Sequence, residues 1–496
     1  MWSVQLFGQD DFKLKPNLTL NIGLRWGTQP GWSDNQGRQA DFDPTLLNPA
    51  TNTPGAILYQ GQLGRKAPQA TAYDLFAPRI GFAWSPKNAW SIRGAYGLFY
   101  MQEGADTYGN QLGLGWAIQG YDTSPDLISP IFTLSQGPPS PIYPTAASRT
   151  PALLNGQSIT YIPYHAPVPY LEEWQFDIQH QLRGGVMVDV GYVGSYGVHL
   201  TLNRDIDTLP QNLISQINTG ANLQLLRPYP QYYGIMSTQD GGVSNYNSLQ
   251  VSAQKRFSYG LQFIANYTWS KTMDMDTGSG WSGPMAEGDV WQDNYNLRSN
   301  YGLSLLDMPQ VFNGDFIYQL PAGRGRRFLN QGGVLNGFLG GWQLSSLWQV
   351  HSGIPFTPIV GTANLSGSLG QYWYPNRVGN ATVSHPNVQE WFNPNAFAVP
   401  DAGTFGNSGR DVLFGPPWKE MDISLAKHFV ISKLGEAGNL EIKADAFDAF
   451  NHANFGQPNP NIGTLGAGVI TSANFNNGNY PTPLGRTIQL GAKLSF

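Results

Sequence analysis

The amino-acid sequence predicts an all-β fold, a transmembrane antiparallel β-barrel with long extracellular loops. Three features predict it: apolar and polar residues alternate along the whole chain, charged residues are few, and the last strand is amphipathic and ends on Phe496. Strands that cross a bilayer place alternate side chains toward lipid and toward the lumen. A final amphipathic strand that ends on Phe is typical of outer-membrane β-barrels.

The composition fits a sheet with one face outside water. Charged residues make up 12% of the 496 residues and aromatic residues 13%, whereas soluble proteins carry about 25% charge. The 15 Trp, 25 Phe and 24 Tyr exclude a disordered chain. The net charge of −5 gives no indication of a nucleic-acid partner. With 0 Cys, disulfides, thiolate metal sites and a cysteine nucleophile are excluded.

The sequence offers no helical route across a membrane. No apolar run reaches the roughly 18 residues of a spanning helix, which leaves the closed barrel as the other spanning structure. Residues 1–10 lack the positive region, apolar core and cleavage site of a signal peptide. If the chain is a secreted barrel, we therefore expect that its N-terminal part is missing from this sequence.

Period-two alternation predicts thirteen strands. In residues 18–26, for example, Leu20 and Ile22 fall on one face while Asn21 and Gly23 fall on the other. Each stretch is about ten residues long, as a tilted membrane strand requires, whereas strands of the alternative, a soluble sandwich, are usually about five or six residues. The predicted strands are residues 2–12, 18–26, 77–86, 89–101, 173–182, 185–196, 245–257, 261–270, 309–320, 340–353, 418–429, 439–450 and 485–496.

The connections alternate between short and long, which predicts the direction of every strand. Short turns lie on the periplasmic side of such barrels and long loops outside. The first and last strands then both run toward the periplasm. Because bacterial single-chain barrels have even strand numbers, we expect the C-terminal part of a larger barrel. Short turns are at 13–17, 86–89, 183–185, 258–260 and 431–438, with a longer one at 321–338; long loops are at 28–75, 104–170, 197–244, 273–308, 354–417 and 451–484.

Aromatic residues lie where upward strands would leave the bilayer. Trp26, Tyr100, Tyr196 and Trp269 occupy these positions. Rings at both interfaces form the girdles of membrane barrels, although aromatic residues also have a high strand propensity in general. Their position at strand ends favours the girdle.

Charged residues on strands are expected to face the lumen. On the lipid face such charges cost roughly 2–4 kcal/mol each near the midplane. In the lumen they can be hydrated or paired with a plug; lining a substrate path is the alternative. The inward residues are Arg25, Arg79, Arg93, Asp177, Asp189, Asp315, Glu441, Lys443 and Asp445.

No catalytic or metal site is expected. Residues 274–280 resemble part of a calcium loop, with Asp274 and Asp276 at alternate positions, but the later bidentate Glu is missing, which favours a polar turn. The 7 His residues show no zinc-binding spacing. We expect no enzyme activity, no metal and no cofactor.

Aromatic residues in two long loops are the candidate ligand-binding residues. Trp281 and Trp291 lie in one loop, and Tyr372, Trp373 and Tyr374 in another. Exposed rings stack on sugars or apolar ligands and often mark binding sites. The alternative is that the loops fold over each other and bury these rings.

Several stretches resemble Oar-like TonB-dependent receptors, which are abundant in Acidobacteria and related Gram-negative bacteria. Together they cover nearly the whole chain, and their order makes the combination specific. They are FAPRIGFAWSP (76–86), IRGAYGLFY (92–100), VDVGYVGS (188–195), NYNSLQVSAQKRF (245–257), YTWSK (267–271), GGWQL (340–344) with SGIPF (352–356), and AFDAFNHANFG (446–456).

The resemblance implies a 22-stranded barrel in the outer-membrane lipid, closed by a plug and driven by the TonB complex. Residues 1–496 would be the C-terminal barrel portion, without plug, TonB box or signal peptide. It also implies that the strand ending on Phe496 is recognised by the barrel assembly machinery.

Energised uptake of an unidentified ligand is the leading hypothesis for function. The alternatives are a structural or adhesive outer-membrane protein that displays its loops, and a passive porin. An outer-membrane enzyme is disfavoured, because no paired carboxylates and no Ser-His arrangement are visible.

Overall fold

One large antiparallel sheet dominates the computed structural model of the chain. Thirteen long strands follow one another in sequence order, each hydrogen bonded to the next. The structure describes residues 2–31, 33, 37, 39–101, 133, 135, 149–275, 292–330, 332–360, 373–431, 438–473 and 485–496.

The strands are numbered β1 to β21 in chain order. The thirteen of the large sheet are β1 (Gln5–Lys15), β2 (Leu18–Gln29), β5 (Ala72–Trp84), β6 (Trp90–Tyr100), β8 (Tyr170–Gln181), β9 (Val186–Asp205), β10 (Gly234–Ser258), β11 (Leu261–Asp274), β13 (Gln310–Gln319), β14 (Trp342–His351), β19 (Trp418–Val430), β20 (Asn439–Phe447) and β21 (Thr487–Ser495). All thirteen predicted strands are confirmed, with shifted ends.

Shorter elements lie in the connections. The strands are β3 (Ala40–Asn48), β4 (Thr53–Tyr59), β7 (Ser158–Tyr161), β12 (Gly302–Leu303), β15 (Pro355–Phe356), β16 (Asn376–Arg377), β17 (Phe397–Ala398) and β18 (Leu413–Phe414). Helix α1 is Val334–Leu339, and 3-10 turns occupy Gln62–Gly64, Gln211–Thr219, Leu223–Leu226, Leu297–Asn300 and Pro394–Ala396. In the part of the chain that the structure describes, no helix has the length and hydropathy of a membrane span.

Alternation gives the sheet an apolar face and a polar face. In the register of β10 and β11, Val251 lies opposite Tyr267 on the apolar face, and Ser252 lies opposite Asn266 on the polar face. The apolar face is open to its surroundings: Leu490, for example, is 79% exposed. Such a continuous exposed apolar surface requires lipid rather than water.

The short turns have the backbone conformations of tight hairpins. Gly184 and Gly185 both have positive φ, 81° and 75°, between β8 and β9. Tyr259 and Gly260, between β10 and β11, also have positive φ, 53° and 80°. Two consecutive positive φ angles match the right-handed twist of the flanking strands, which explains the glycines at these positions.

The long connections contain more structure than alternation alone predicts. Loop 28–75 contains the hairpin of β3 and β4, and loop 104–170 contains β7, which pairs parallel with the start of β10. The expectation of a loop at 197–244 is partly wrong, because β9 and β10 stay paired up to Asp205 and Met236. These two strands therefore rise well beyond the membrane-spanning part of the sheet.

The sheet has two edges in the described part of the chain. β1 pairs with β2, β21 pairs with β20, and no pairing joins β1 to β21 there. Every neighbouring pair among the thirteen strands is antiparallel, so the first and the thirteenth run in the same direction.

Candidate functional site

The polar face forms an open cavity of about 690 Å³ along β1 to β10. Gly23 and Gly81 lie in its wall and leave room, since no side chain extends from them, whereas the Phe99 ring fills the space above Gly97. A cavity of this size suits a polar ligand or a polypeptide segment. The polar side chains that line it are those of Gln9, Asn21, Arg79, Arg93, Glu173 and Gln175.

A chain of polar contacts crosses the cavity wall from β6 to β9. The Arg93 guanidinium lies 3.5 Å from the Asp177 carboxylate and donates to the Gln179 side chain at 3.1 Å. Gln179 in turn donates to Asp189 at 3.3 Å. These residues share the polar face, as the alternation predicts, and Arg93 is paired with a carboxylate within the wall.

In the described part of the chain, Arg79, unlike Arg93, contacts an aromatic ring instead of a carboxylate. Its guanidinium lies 4.7 Å from the centre of the Phe99 ring, a cation–π contact. No carboxylate forms an ion pair with Arg79 among the residues that the structure describes. An arginine stacked on a ring keeps its donors available, so the cavity offers a cation to an anionic group.

The other end of the sheet carries a second group of inward charges. The Lys443 ammonium lies 2.7 Å from the Asp445 carboxylate, which also accepts a hydrogen bond from Ser424 at 2.5 Å. Glu441 lies 3.8 Å from the His428 ring. Polar residues on the two neighbouring strands β19 and β20 thus bond to one another on the polar face.

The extracellular connections form a folded first loop core. Phe42 of β3 lies at its centre and makes edge-on contacts with Tyr161, Tyr229 and Tyr232, with ring centres 5.0–5.6 Å apart. Three connections that are far apart in sequence meet here. The buried members are Ala40, Phe42, Ile57, Tyr59, Leu154, Ile159, Tyr232 and Ile235.

Two further loop cores lie in the later connections. The second loop core consists of Phe356, Ala381, Phe392, Ala396, Phe397 and Ile462. The third consists of Leu209, Ile214, Val360 and Trp373, with the Phe405 ring tilted by 37° against that of Trp373 at 4.8 Å between ring centres. The third core joins the connection after β9 to the one after β14.

Buried hydrogen bonds tie the connections together. The Tyr374 hydroxyl donates to the Asn300 side chain at 2.5 Å. The Gln292 side chain donates to the Gly406 carbonyl at 2.9 Å and accepts from the Tyr374 amide at 3.1 Å. Arg410 donates to the Asn300 carbonyl at 3.1 Å. The connections after β11 and β14 therefore form one bonded unit.

The candidate loop aromatics fall into two groups. Trp281, Trp291 and Tyr372 lie outside the described residues. Trp373 and Tyr374 are buried, with 0% and 3% of their surface exposed. The expectation that these two rings are exposed is therefore wrong for this structure, because the loops fold over them as the alternative predicts. Their contribution to ligand binding stays untested.

Burial shifts the acidity of carboxyl groups in the first loop core. Burial raises the pKa of Asp207 to about 7, although a hydrogen bond from the Tyr229 amide opposes the shift. Burial also raises the pKa of Asp41 well above its usual range. Burial acts in the same direction on Asp43, but bonds from Thr45 and the charge of Arg65 outweigh it and lower its pKa.

The calcium-like sequence contributes no cation site in the described residues. Asp274 is bound to Arg410, and residues 276–280 lie outside the described part. No group of three His, Asp or Glu side chains that could hold a metal is found in the described part of the chain. The absence of enzyme activity stays a prediction.

The predicted girdle residues share the apolar face near the extracellular ends of their strands. The Trp26 indole donates to the Tyr73 carbonyl at 2.8 Å, and the Tyr100 ring lies 5.6 Å from that of Tyr170. Trp269 is 60% exposed. Phe496, which follows β21 at the free edge of the sheet, is 86% exposed.

Several residues that organise the loops were not predicted from the sequence. Arg410, Asn300 and Gln292 lie in stretches without period-two alternation, and their partners come from distant connections. The Ala56–Tyr59 part of β4 is the clearest missed signal, because it is a short apolar run directly after Pro54 and Gly55.

Comparison with protein families gives one match over almost the whole chain. Residues 1–489 match the family model described as outer membrane beta barrel domain. Comparison with curated proteins gives no significant match.

Comparison with solved structures gives matches that cover this chain and less than half of the other protein. The FrpB iron transporter from Neisseria meningitidis is 11% identical, over 99% of this chain and 44% of that one, with a TM-score of 0.39. The ferric-catecholate import receptor Fiu from E. coli is 10% identical, over 100% and 44%, with a TM-score of 0.40. The siderophore receptor PiuA from Acinetobacter baumannii is 10% identical, over 99% and 42%, with a TM-score of 0.42. These scores are too low to establish a shared function by themselves.

Proposed function

Since the chain belongs to the outer membrane beta-barrel domain family, we propose that it is the barrel portion of a TonB-dependent receptor. Its location is the outer membrane of a Gram-negative bacterium. In this proposal the receptor imports an unidentified ligand, with energy delivered by the TonB complex and no chemistry on the ligand. The two edges of the sheet, which run in the same direction, are the observation that carries the proposal.

The directions of the edge strands require further strands for closure. An antiparallel seam needs neighbours of opposite direction, and β1 and β21 have the same direction. A second copy of the sheet in the same membrane does not solve this, because it would set β21 of one copy parallel to β1 of the other. An odd number of additional strands between β21 and β1 makes every neighbouring pair antiparallel. Nine would complete a barrel of about 22 strands, the size of plugged outer-membrane transporters.

The apolar face of β1 supports a neighbour beyond that edge. Asp10 lies opposite Ile22, in the middle of β1, on the same face as Leu6 and Phe12. A carboxylate that faces lipid near the midplane costs free energy, and a polar side chain of a strand paired with β1 can hydrogen bond to it. We infer that strands of the same receptor continue the sheet beyond β1.

The open cavity supports a lumen that holds protein or ligand. Its glycines leave space, and Arg79 offers a cation that is stacked on Phe99 rather than paired with a carboxylate in the described residues. In a plugged barrel this wall would face the plug. The charged residues of the polar face then act as the hydrated or plug-bonded lining that the sequence predicts.

The loops are the proposed ligand-binding side. Trp281, Trp291 and Tyr372 remain candidates for ring contacts with the ligand, while the buried Trp373 and Tyr374 would act by supporting the loops around them. Recognition of Phe496 by the barrel assembly machinery is proposed as well. Its exposed ring beside the unpaired edge of β21 is suited to strand addition.

The DNA upstream of Met1 tests the proposal. We expect an in-frame upstream region that encodes the missing strands, a plug and a TonB box. In addition, the isolated chain is expected to show no heat-dependent shift of gel mobility, since it does not close alone. A stop codon directly before Met1, together with such a shift, would contradict the proposal.

A structural or adhesive surface protein is the second candidate. The three loop cores favour it, because loops that fold into a fixed unit present a permanent surface to the outside. TonB-independent adhesion of cells that carry the whole protein would support it. A passive porin would be recognised by conductance in planar bilayers.

A further inference from the structure

The connection between β13 and β14 differs from the other short turns on the periplasmic side. It contains helix α1, whose apolar side chains point away from the protein. Val334 is 77% exposed, Leu335 61% and Phe338 71%. An exposed apolar cluster on a short helix requires a covering partner or an apolar phase.

The C-terminal end of the helix is bonded to residues of the apolar face of the sheet. The indole N–H of Trp342, the first residue of β14, donates to the Phe338 carbonyl at 2.8 Å. The Lys427 ammonium donates to the Gly340 carbonyl and lies 5.4 Å from the Trp342 ring. Trp342 and Lys427 are opposite each other on the apolar face. The exposed side chains of α1 are therefore at the periplasmic rim, where the lipid begins.

The same connection carries concentrated positive charge. Arg324, Arg326 and Arg327 are all exposed, and the sequence has no Asp or Glu between Asp315 and Glu390. Arg326 donates to the Gln319 side chain at 2.7 Å, and the Arg327 guanidinium lies 5.3 Å from the Phe328 ring. No carboxylate pairs with these three arginines within the described ranges. Their charge is open to an external anion.

We propose that residues 321–330 and 332–341 bind the surface of an anionic phospholipid leaflet. Val334, Leu335 and Phe338 enter the acyl-chain boundary, and the three arginines bind headgroup phosphates. Apolar insertion combined with basic residues beside it is the pattern of interfacial helices. Arginine suits phosphate because its planar fork can donate two hydrogen bonds to one group. The position at the rim favours lipid over a protein partner.

The segment fixes the height of the sheet in the membrane. Because α1 is bonded to Trp342 and Lys427, binding of the segment to the leaflet holds the ends of β14 and β19 at the interface. This inference does not depend on transport, since it concerns the lipid contact of any barrel built from this sheet.

Residues 1–496 contain no cysteine, which allows a direct test once any cysteine elsewhere in the whole protein is replaced by serine. In the whole protein, as isolated, Phe338→Cys carries a single environment-sensitive fluorophore after reconstitution into vesicles of phosphatidylcholine, with or without phosphatidylglycerol. Leu465→Cys is the reference, because Leu465 is fully exposed, at 102%, on an extracellular connection. Quenching by phosphatidylcholine that carries a nitroxide on its acyl chain measures insertion.

The expected result is strong quenching at position 338, weak quenching at 465, and an increase at 338 when phosphatidylglycerol is present. The triple variant Arg324→Gln, Arg326→Gln and Arg327→Gln should lose that increase. Circular dichroism of the triple variant, matched to that of the wild type, ensures that the comparison is made on folded protein. Quenching at 338 no stronger than at 465 would overturn the proposal and indicate a protein partner. An increase that survives the triple variant would also overturn it, because the arginines would then not recognise the headgroups.

Discussion

The Arg410 guanidinium binds the Asp274 carboxylate at 2.6 Å, with the Arg410 side chain 2% exposed and that of Asp274 15% exposed. Asp274 is the last residue of β11, and Arg410 lies in the connection between β14 and β19. Arg410 also donates to the backbone carbonyls of Asp274 and Asn300. One side chain therefore attaches the long connection between β14 and β19 to the top of the sheet.

Arg410→Gln should release this connection without unfolding the sheet. Loss of one partner of a buried ion pair leaves the other charge uncompensated, which costs about 3–5 kcal/mol. Hydrogen exchange is expected to increase in residues 373–417 and 292–303, while β9 to β11 stay protected. Arg377→Gln is the control, because Arg377 is an exposed arginine of the same connection. Equal exchange in the two variants would show that the pair does not hold the connection.

Tyr374→Phe should destabilise the loops by a smaller amount. It removes the hydroxyl that donates to Asn300 at 2.5 Å and leaves a buried amide oxygen without its donor. Such a loss costs about 1–3 kcal/mol. Thermal unfolding of the loops, followed by near-ultraviolet circular dichroism, measures it. Tyr73→Phe, at a tyrosine that is 67% exposed, should leave the midpoint unchanged.

Stability of the first loop core should fall as the pH rises. Burial raises the pKa of Asp207, which lies outside the membrane-spanning part of the sheet, to about 7 from an ordinary value of 3.8. The stabilisation is complete below pH 3.8, where both states are protonated, and is lost as the pH rises through about 7. Ionisation of Asp207 lowers the free energy of unfolding by at most roughly 4 kcal/mol, at about 1.4 kcal/mol per pKa unit.

Asp207→Asn isolates this effect. The amide oxygen of Asn can still accept from the Tyr229 backbone N–H, but it does not ionise. Asp205 and Arg227 act on Asp207 in opposite directions and remain in place. The wild type should lose loop stability between about pH 4 and pH 7, measured as the thermal midpoint, and the variant should lose less. The same pH dependence in both proteins would exclude Asp207 as the titrating group.

Alternation within the spanning strands was sufficient to predict the sheet. A strand such as β2 has lipid on one side and a polar lumen on the other. Its neighbouring residues therefore alternate in polarity, as Asn21 and Ile22 do. The strand ends were less well predicted. β9 and β10 continue above the membrane, where both faces meet protein or water and the period-two contrast disappears.

The loop cores could not be predicted from the alternation of apolar and polar residues. Phe42 is buried by rings from residues 161, 229 and 232, and nothing in its local sequence shows that those distant connections return to it. Trp373 and Tyr374 illustrate the same limit. Two neighbouring aromatic residues in a polar loop look alike whether they are exposed or buried, because the covering residues come from other connections.

Lysine substitutions at two neighbouring residues of β10 should lower the free energy of unfolding by different amounts. Val251→Lys places a charge on the apolar face, where it costs about 2–4 kcal/mol near the midplane. Ser252→Lys places the charge on the polar face opposite Asp189, where water and a carboxylate can stabilise it. Urea unfolding in lipid vesicles compares the two. A larger loss for Ser252→Lys would reverse the assignment of the faces.

Cysteine labelling along β10 tests the account most directly, because residues 1–496 contain no cysteine and any cysteine elsewhere in the whole protein can be replaced by serine. Single substitutions at Gln250, Val251, Ser252 and Ala253 are exposed to a membrane-impermeant maleimide in the whole, membrane-embedded protein. The account predicts labelling at positions 250 and 252, which face a hydrated lumen, and protection at 251 and 253, which face lipid. Uniform labelling of all four positions, or protection of the first pair and labelling of the second, would contradict a membrane-spanning sheet with a polar inner face.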